Sequence, residues 1–276
     1  MNLFNILSEL EKIDPEIMDR LNHRRSALSK LGDISKKMAL AAAPIAIGSA
    51  FNKSMGANTL TNANAVLNYA LLLERIEEAF YIQALAAPTL AATLTGDART
   101  AITTIKNHES AHVALLTKAL GNAADPAPAN GFNFDGAFAT YPTFLIYAQA
   151  FEDTGVRAYK GQAGVLIGTP TLTTALQIHS VEARHASHVR YMRRATGANT
   201  QYGWIINSEA NGAPDAVYGA GSPIADFPAE SNVMQAGLTL TTIGGTTYAA
   251  ADVSAAFDEP LDNESVVKIA KSVVAF

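Results

Sequence analysis

Two short stretches constrain this chain more than anything else in it: Lys106–Leu116 (KNHESAHVALL) and Gln177–Arg190 (QIHSVEARHASHVR). Each carries a Glu-x-x-His step, Glu109 to His112 and Glu182 to His185. On a helix, residues three apart share a face, so each step aims a carboxylate and an imidazole in one direction. Those are ligand types that borderline first-row metals take. With 13 Glu and 6 His among 276 residues, chance would supply fewer than one such step. The chain has no cysteine, which excludes disulfides, iron–sulfur clusters, thiolate zinc sites and thiol catalysis. Any metal must then be held by His, Asp and Glu.

The rest of the chain supplies helices to carry these steps. From Thr59 to about Ala87, Val66, Leu67, Ala70, Leu71, Leu73, Glu74, Glu77, Phe80 and Tyr81 fall on neighbouring turns, which predicts a first helix. Pro88 and Gly96 punctuate. Asp97 is the expected N-cap of a second helix that runs to about Leu120 and stops at Gly121. A connection dense in Gly, Pro, Asn and Asp covers 121–139, and a third helix follows Pro142. The turn Gly168–Thr169–Pro170 starts a fourth, with Thr169 as N-cap and Pro170 at the first helical position, running to about Ala195.

Counted from the helix ends at ~1.5 Å per residue, Glu74 lies level with Glu109 and Glu152 level with Glu182. The connection can reach back along a bundle at ~3.3 Å per residue, so the second and third helices are expected to be parallel. The two halves also repeat: Tyr81 follows Glu74, and Tyr159 follows Glu152, by seven residues. This pattern predicts a pseudo-two-fold site between two helical hairpins in an all-α four-helix bundle. Tyr81 and Tyr159 are read first as core aromatics with satisfied hydroxyls, and second as hydrogen-bond partners of the site. Glu77 and Glu78 are read as solvated or supporting groups first and as extra ligands second, His179 and His188 as supporting or surface groups, His108 as a surface residue, and Trp204 as core or interface.

Residues 1–56 form an N-terminal extension, 57–196 the bundle, and 197–276 a mostly irregular C-terminal extension packed on it. That extension is expected to hold a hairpin around Gly244–Gly245 and a short amphipathic helix capped by Asp262. Arg24–Arg25, Leu28, the apolar run Met38–Ile47 and Gly48–Ser49–Ala50 resemble a twin-arginine export signal, which implies the periplasm or cell envelope. Ala27 stands at the usual aromatic position, and Asp33, Lys36 and Lys37 interrupt the approach. The alternative is a retained amphipathic helix in a cytoplasmic protein. Ten residues are too few to span a bilayer. A net charge of −5 with no extended basic face excludes nucleic acid as the expected partner.

Over roughly 59–195 this layout resembles the ferritin-like di-metal carboxylate superfamily. Asn68–Tyr81 (NYALLLERIEEAFY) and Ala256–Leu261 (AFDEPL) are similar to a narrower branch, the ferritin-like proteins related to the desiccation-related proteins. The resemblance implies Glu74, Glu109 and His112 on one metal and Glu152, Glu182 and His185 on the other, with Glu109 and Glu182 bridging. It implies two iron or two manganese ions, with dioxygen or peroxide as the reaction partner, and homo-oligomers. A metal pair ~3.5–4 Å apart can take such a molecule between its ions. The implied activity is a ferroxidase- or manganese-catalase-like oxidoreductase in stress protection. The alternative is a non-catalytic, stress-associated structural or binding module whose metals are structural or vestigial. An iron-storage cage is the weaker reading, because the two extensions burden close packing in a shell. Against all of these stands a bundle whose buried Glu and His satisfy one another, which needs several shared protons.

Overall fold

The computed structural model describes residues 60–197 and 202–275, so the readings made for the N-terminal extension lie outside the described residues. Four long helices dominate: α1 (Ala63–Ala86), α2 (Gly96–Leu120), α3 (Tyr141–Gln162) and α4 (Thr171–Ala195). Their starts follow from local chemistry. The Asn62 side-chain oxygen Oδ1 accepts from the Ala65 N–H at 3.0 Å. The Thr140 hydroxyl accepts from the Thr143 N–H at 3.2 Å, ahead of Pro142 in the first turn. Gly121, at φ 54°, ends α2 in the left-handed region that a glycine adopts without strain. Two caps differ from expectation. Thr95, not Asp97, is the N-cap of α2, and Asp97 sits in the first turn, where its charge still complements the helix dipole. Helix α4 starts one residue later, because the Thr169 hydroxyl bonds the Leu166 carbonyl and leaves Pro170 as the cap.

Helices α1 and α2 form one hairpin, α3 and α4 the other. One apolar cluster joins Phe80 and Tyr81 near the end of α1 to Ile102, Phe144 and Val189. Another joins Val66 and Leu67 near its start to Leu116, Tyr159 and Ile178. Both α2 and α3 therefore run from the first cluster to the second, which makes them parallel. The connection between them follows α1 from end to end. Asn68 donates to the Ala123 carbonyl, Arg75 to Asp125, Gln83 to Phe132 and Thr89 to Phe138. Its Phe134 and Phe138 close one end of the bundle by packing on Phe80, at ring-centroid distances of 5.3 Å each. A fully buried Phe contributes about 1.5–3 kcal/mol, so this loop is part of the core.

The C-terminal part is irregular except for two antiparallel pairs, β1–β2 (Met234–Gln235, Leu238–Thr239) and β3–β4 (Thr242–Ile243, Thr246–Thr247), and helices α5 (Ala250–Ser254) and α6 (Asn263–Val273). The second pair turns at Gly244–Gly245, as the pattern suggests. The first was missed: it turns through Ala236 at φ 51°, a conformation that an alanine rarely adopts and that its identity does not announce. Leu261, Val266 and Ile269 pack with Ala150 and Ala158 of α3 and Leu73 of α1. Trp204 is 56% exposed and stacks loosely on Tyr202, so it is not a core residue.

Arg157 of α3 anchors the extension. It is fully buried, with Nε 2.9 Å from Glu230. Its guanidinium donates to the carbonyls of Val217, Gly219, Pro228, Glu259 and Pro260. One turn on, Gly161 lies so close to the Leu261 carbonyl that a Cβ there would collide with it. Asp262 then caps α6, accepting from the Ser265 N–H and from the Ser222 N–H at 2.9 Å each. Asp262→Ala is expected to cost about 1 kcal/mol, the usual worth of an N-cap, read as a lower urea midpoint with an unchanged slope.

Candidate metal centre

Glu74, Glu109, Glu152 and Glu182, one from each long helix, are fully buried at one level of the bundle. His185 is buried beside them, and the His112 side chain is 11% exposed. The six residues form two overlapping groups, Glu74–Glu109–His112–Glu182 and Glu109–Glu152–Glu182–His185, and in each the candidate ligand atoms lie within 4.8 Å of one another. His112 Nδ1 is 3.0 Å from Glu74, 3.1 Å from Glu109 and 3.3 Å from Glu182. His185 Nδ1 is 2.9 Å from Glu109, 3.2 Å from Glu152 and 3.9 Å from Glu182. Glu109 and Glu182 each turn one oxygen to either imidazole. Glu74 meets only His112, and Glu152 only His185.

The tyrosines cross between hairpins. Tyr81 of α1 donates to Glu152 of α3, and Tyr159 of α3 donates to Glu74 of α1. Their hydroxyls are thus tied to the site, where the sequence reading put plain core aromatics first. Each bond takes one oxygen of a lone Glu and leaves the other facing an imidazole. Burial, then the neighbouring carboxylates, hold both phenols well above their ordinary range, so they stay protonated donors.

Protons carry the positive charge of this cluster when no ion is present. Burial favours a neutral His112, but its contacts with Glu109, Glu182 and Glu74 outweigh burial and raise it to about 12. Burial is likewise outweighed at His185 by Glu152 and Glu109, which raise it to about 11. Burial pushes Glu109 up, yet the two imidazoles close beside it hold it at about 2. Burial lifts Glu74 to about 7 and pushes Glu182 and Glu77 well up, with neighbouring carboxylates adding to the shift at both. The competing reading, a cluster of shared protons, is therefore a fair account of the metal-free molecule.

That account leaves atoms over. Oε1 of Glu109, Oε2 of Glu152, both oxygens of Glu182 and Nδ1 of His185 are buried with no hydrogen bond. Glu109 Oε1 and His185 Nδ1 are only 2.9 Å apart, but without the direction a hydrogen bond needs. Buried polar atoms left in this way are costly, and five of them converge. An ion in each of the two groups would give these atoms partners. An all-oxygen-and-imidazole donor set fits iron or manganese better than a thiophilic metal.

Two further residues border this centre. His108 is exposed, as expected, yet its Nδ1 lies 2.9 Å from His185 Nε2 with the rings stacked. His185, protonated, donates this bond, and His108, whose own pKa is lowered by burial and by His185, accepts it. Glu77 is buried, not solvated. It stands near Glu182 where Gly155 of α3 has no side chain: a Cβ there would lie 3.2 Å from Glu77 and 3.4 Å from Glu182. Its place three residues after Glu74, on the same face, was the available signal. His179 bonds the Val156 carbonyl and His188 is exposed; neither belongs to the two groups.

A helical bundle with a carboxylate–imidazole centre of this make-up is of the kind that holds two metal ions. Residues 62–195, which contain all four long helices, match the family model described as a ferritin-like domain. The fold is that of a ferritin-like four-helix bundle, with a small irregular C-terminal part beside it. No curated protein and no solved structure matches the chain. Among the described residues, no helix is long and apolar enough to cross a membrane.

Proposed function

We propose that Glu74, Glu109, His112, Glu152, Glu182 and His185 hold two ions of iron or manganese. On this reading the protein is an oxidoreductase acting on iron(II) with dioxygen, or on peroxide, in stress protection. The observation that carries this reading is the convergence of five buried, hydrogen-bond-free donor atoms on two groups that share Glu109 and Glu182. If bound by these residues, such ions would supply redox chemistry toward dioxygen or peroxide. The chain's own part is positional. Four carboxylates from four helices offset most of the charge of two divalent ions, and Tyr81 and Tyr159 fix the lone glutamates. Their phenols stay protonated.

Elemental analysis of protein purified from its native host, followed by anaerobic titration with iron(II) and manganese(II), tests the proposal. Near two ions per chain supports it and selects the assay, iron oxidation or peroxide breakdown. His112→Ala and His185→Ala are expected to lose metal while keeping the helical circular dichroism. Full occupancy in both variants would show the site to be elsewhere. Little metal before and after titration would favour the non-catalytic module.

His108 is expected to matter at the His185 half of the centre. A partner on the far nitrogen of a ligating imidazole orients the ring, and its loss typically weakens metal binding about 10–100-fold. His108→Ala should show that loss in a chelator competition, with two-ion stoichiometry retained at saturation.

The narrower branch is supported by the residues at 68–81 and 256–261, and export by Arg24–Arg25 with the apolar run after it. Fractionation of the native host and N-terminal sequencing of the recovered protein test export. A cytoplasmic protein that keeps Met1–Ala50 would refute it.

A further inference from the structure

The end of the bundle where α1 and α4 begin contains a cavity of about 90 Å³. All four long helices wall it, through Ala70 and Leu73 of α1, Leu116 of α2, Tyr159 of α3, and Ala175 and Ile178 of α4. No acidic, basic or imidazole side chain lines it. Protein interiors seldom keep a void larger than a water molecule, and one this size is a cost to folding. Besides Tyr159, the polar residues at its wall are Tyr69, Gln162, Thr171 and Thr174, set among aliphatic side chains that make up most of the lining; an apolar cavity of ~150 Å³ stays dry and binds benzene. The back wall is Tyr159, whose hydroxyl donates to Glu74. The candidate centre thus has two unlike sides. Ions can approach from the imidazole side, where His108 is exposed and His112 partly so. The opposite approach is apolar, with Leu115 43% exposed at its edge.

We propose that this cavity is a binding pocket for a small uncharged molecule of hydrocarbon character, no larger than benzene, seated against Tyr159 behind Glu74. Its occupancy needs no metal. That the occupant lies one side chain from an oxidising centre, and so is a candidate substrate, rests on the proposed function.

The test uses the metal-free full chain with labelled methyl groups, titrated with benzene and followed by NMR. Saturable shifts confined to methyls such as those of Leu73, Leu116 and Ile178 are expected, and Ala175→Phe, which fills the pocket, should abolish them. Ala70→Leu, on the opposite wall, serves if Ala175→Phe does not fold. Absence of saturable shifts up to the solubility limit of benzene, or their persistence in a folded filled variant, overturns the proposal. So does line broadening by dissolved dioxygen without a benzene shift, which would reduce the cavity to a passage for gas. Because the protein is metal-free, none of these outcomes depends on the centre. A negative elemental analysis would remove the substrate role and leave the binding result standing.

Discussion

Arg157→Leu is expected to lower the unfolding free energy by about 3–5 kcal/mol, the usual consequence of removing one partner of a buried ion pair. The cost has two sources. Glu230, fully buried, loses the guanidinium 2.9 Å away, and five backbone carbonyls from three separate stretches of the C-terminal part lose their donor. Leucine refills part of the volume but none of the hydrogen bonds. Burial already pushes Glu230 up to about 8 against the opposing pull of Arg157, so in the variant it takes up a proton readily. With the guanidinium gone Glu230 is pushed higher than in the wild type, so the variant keeps its proton past pH 8 and the damage grows only at still higher pH. Arg157→Leu combined with Glu230→Leu should recover part of the loss, because no buried charge then remains. Urea unfolding of the three variants at pH 6 and 9 gives the comparison. Limited proteolysis should cut first between 202 and 262 in Arg157→Leu. A single-variant cost below ~1 kcal/mol, in the range of an exposed pair, would mean that the apolar contacts of α6 hold the extension without the arginine.

The same arginine shows what could not be read from the chain. Apart from Glu230, its partners lie between 60 and 103 residues away and are main-chain carbonyls, which any residue type supplies. Nothing in residue identity marks them. The stretch Ala256–Leu261 could be matched to a family, yet its physical role, to lay the Glu259 and Pro260 carbonyls on Arg157 and pass Gly161, needed coordinates. The four helices were legible because burial on one face imposes a period, and Asn, Thr, Pro and Gly mark the ends. The misplacement of Thr169 by one residue reflects its competing bond to the Leu166 carbonyl, and Asp97 falls two residues past the N-cap Thr95, in the first turn of α2. The six acidic and imidazole residues were legible for a different reason: metal chemistry restricts residue type, and the helix restricts spacing. Tyr81 and Tyr159 fell short of this, since a tyrosine on an inner face is most often only packed. His108 was hidden by its neighbour. Adjacent residues diverge by ~100° on a helix, and only the position of α4 shows that this direction leads to His185.

Through this cluster, metal-free protein is expected to be most stable at about pH 4.5 and to weaken steadily as pH rises, the reverse of the metal-loaded protein. Glu74 is raised to about 7, so its contribution is present below the ordinary carboxylate range and fades as pH climbs through about 7. The imidazoles of His112 and His185, raised to about 12 and 11, contribute fully below their ordinary range and are lost as pH rises towards those values. Glu109, lowered to about 2, contributes above its ordinary range and is lost only in acid. The three trends leave one window, bounded below by Glu109 and above by the others. Metal binding inverts the upper side, since each ion displaces protons from imidazole and carboxylate, and higher pH favours that displacement. At free metal a hundredfold above Kd the stabilisation is about 2.7 kcal/mol. Melting curves at pH 5.5, 7 and 8.5, with and without anaerobic manganese(II), should diverge as pH rises. Calorimetric titrations in buffers of different ionisation enthalpy should show at least two protons released per chain at pH 7. Parallel melting curves, with no proton release, would place the binding ions away from this cluster. His185→Ala loses one of the displaced protons and should narrow the divergence. Glu77→Gln, outside both groups but beside Glu182, should leave ion stoichiometry unchanged.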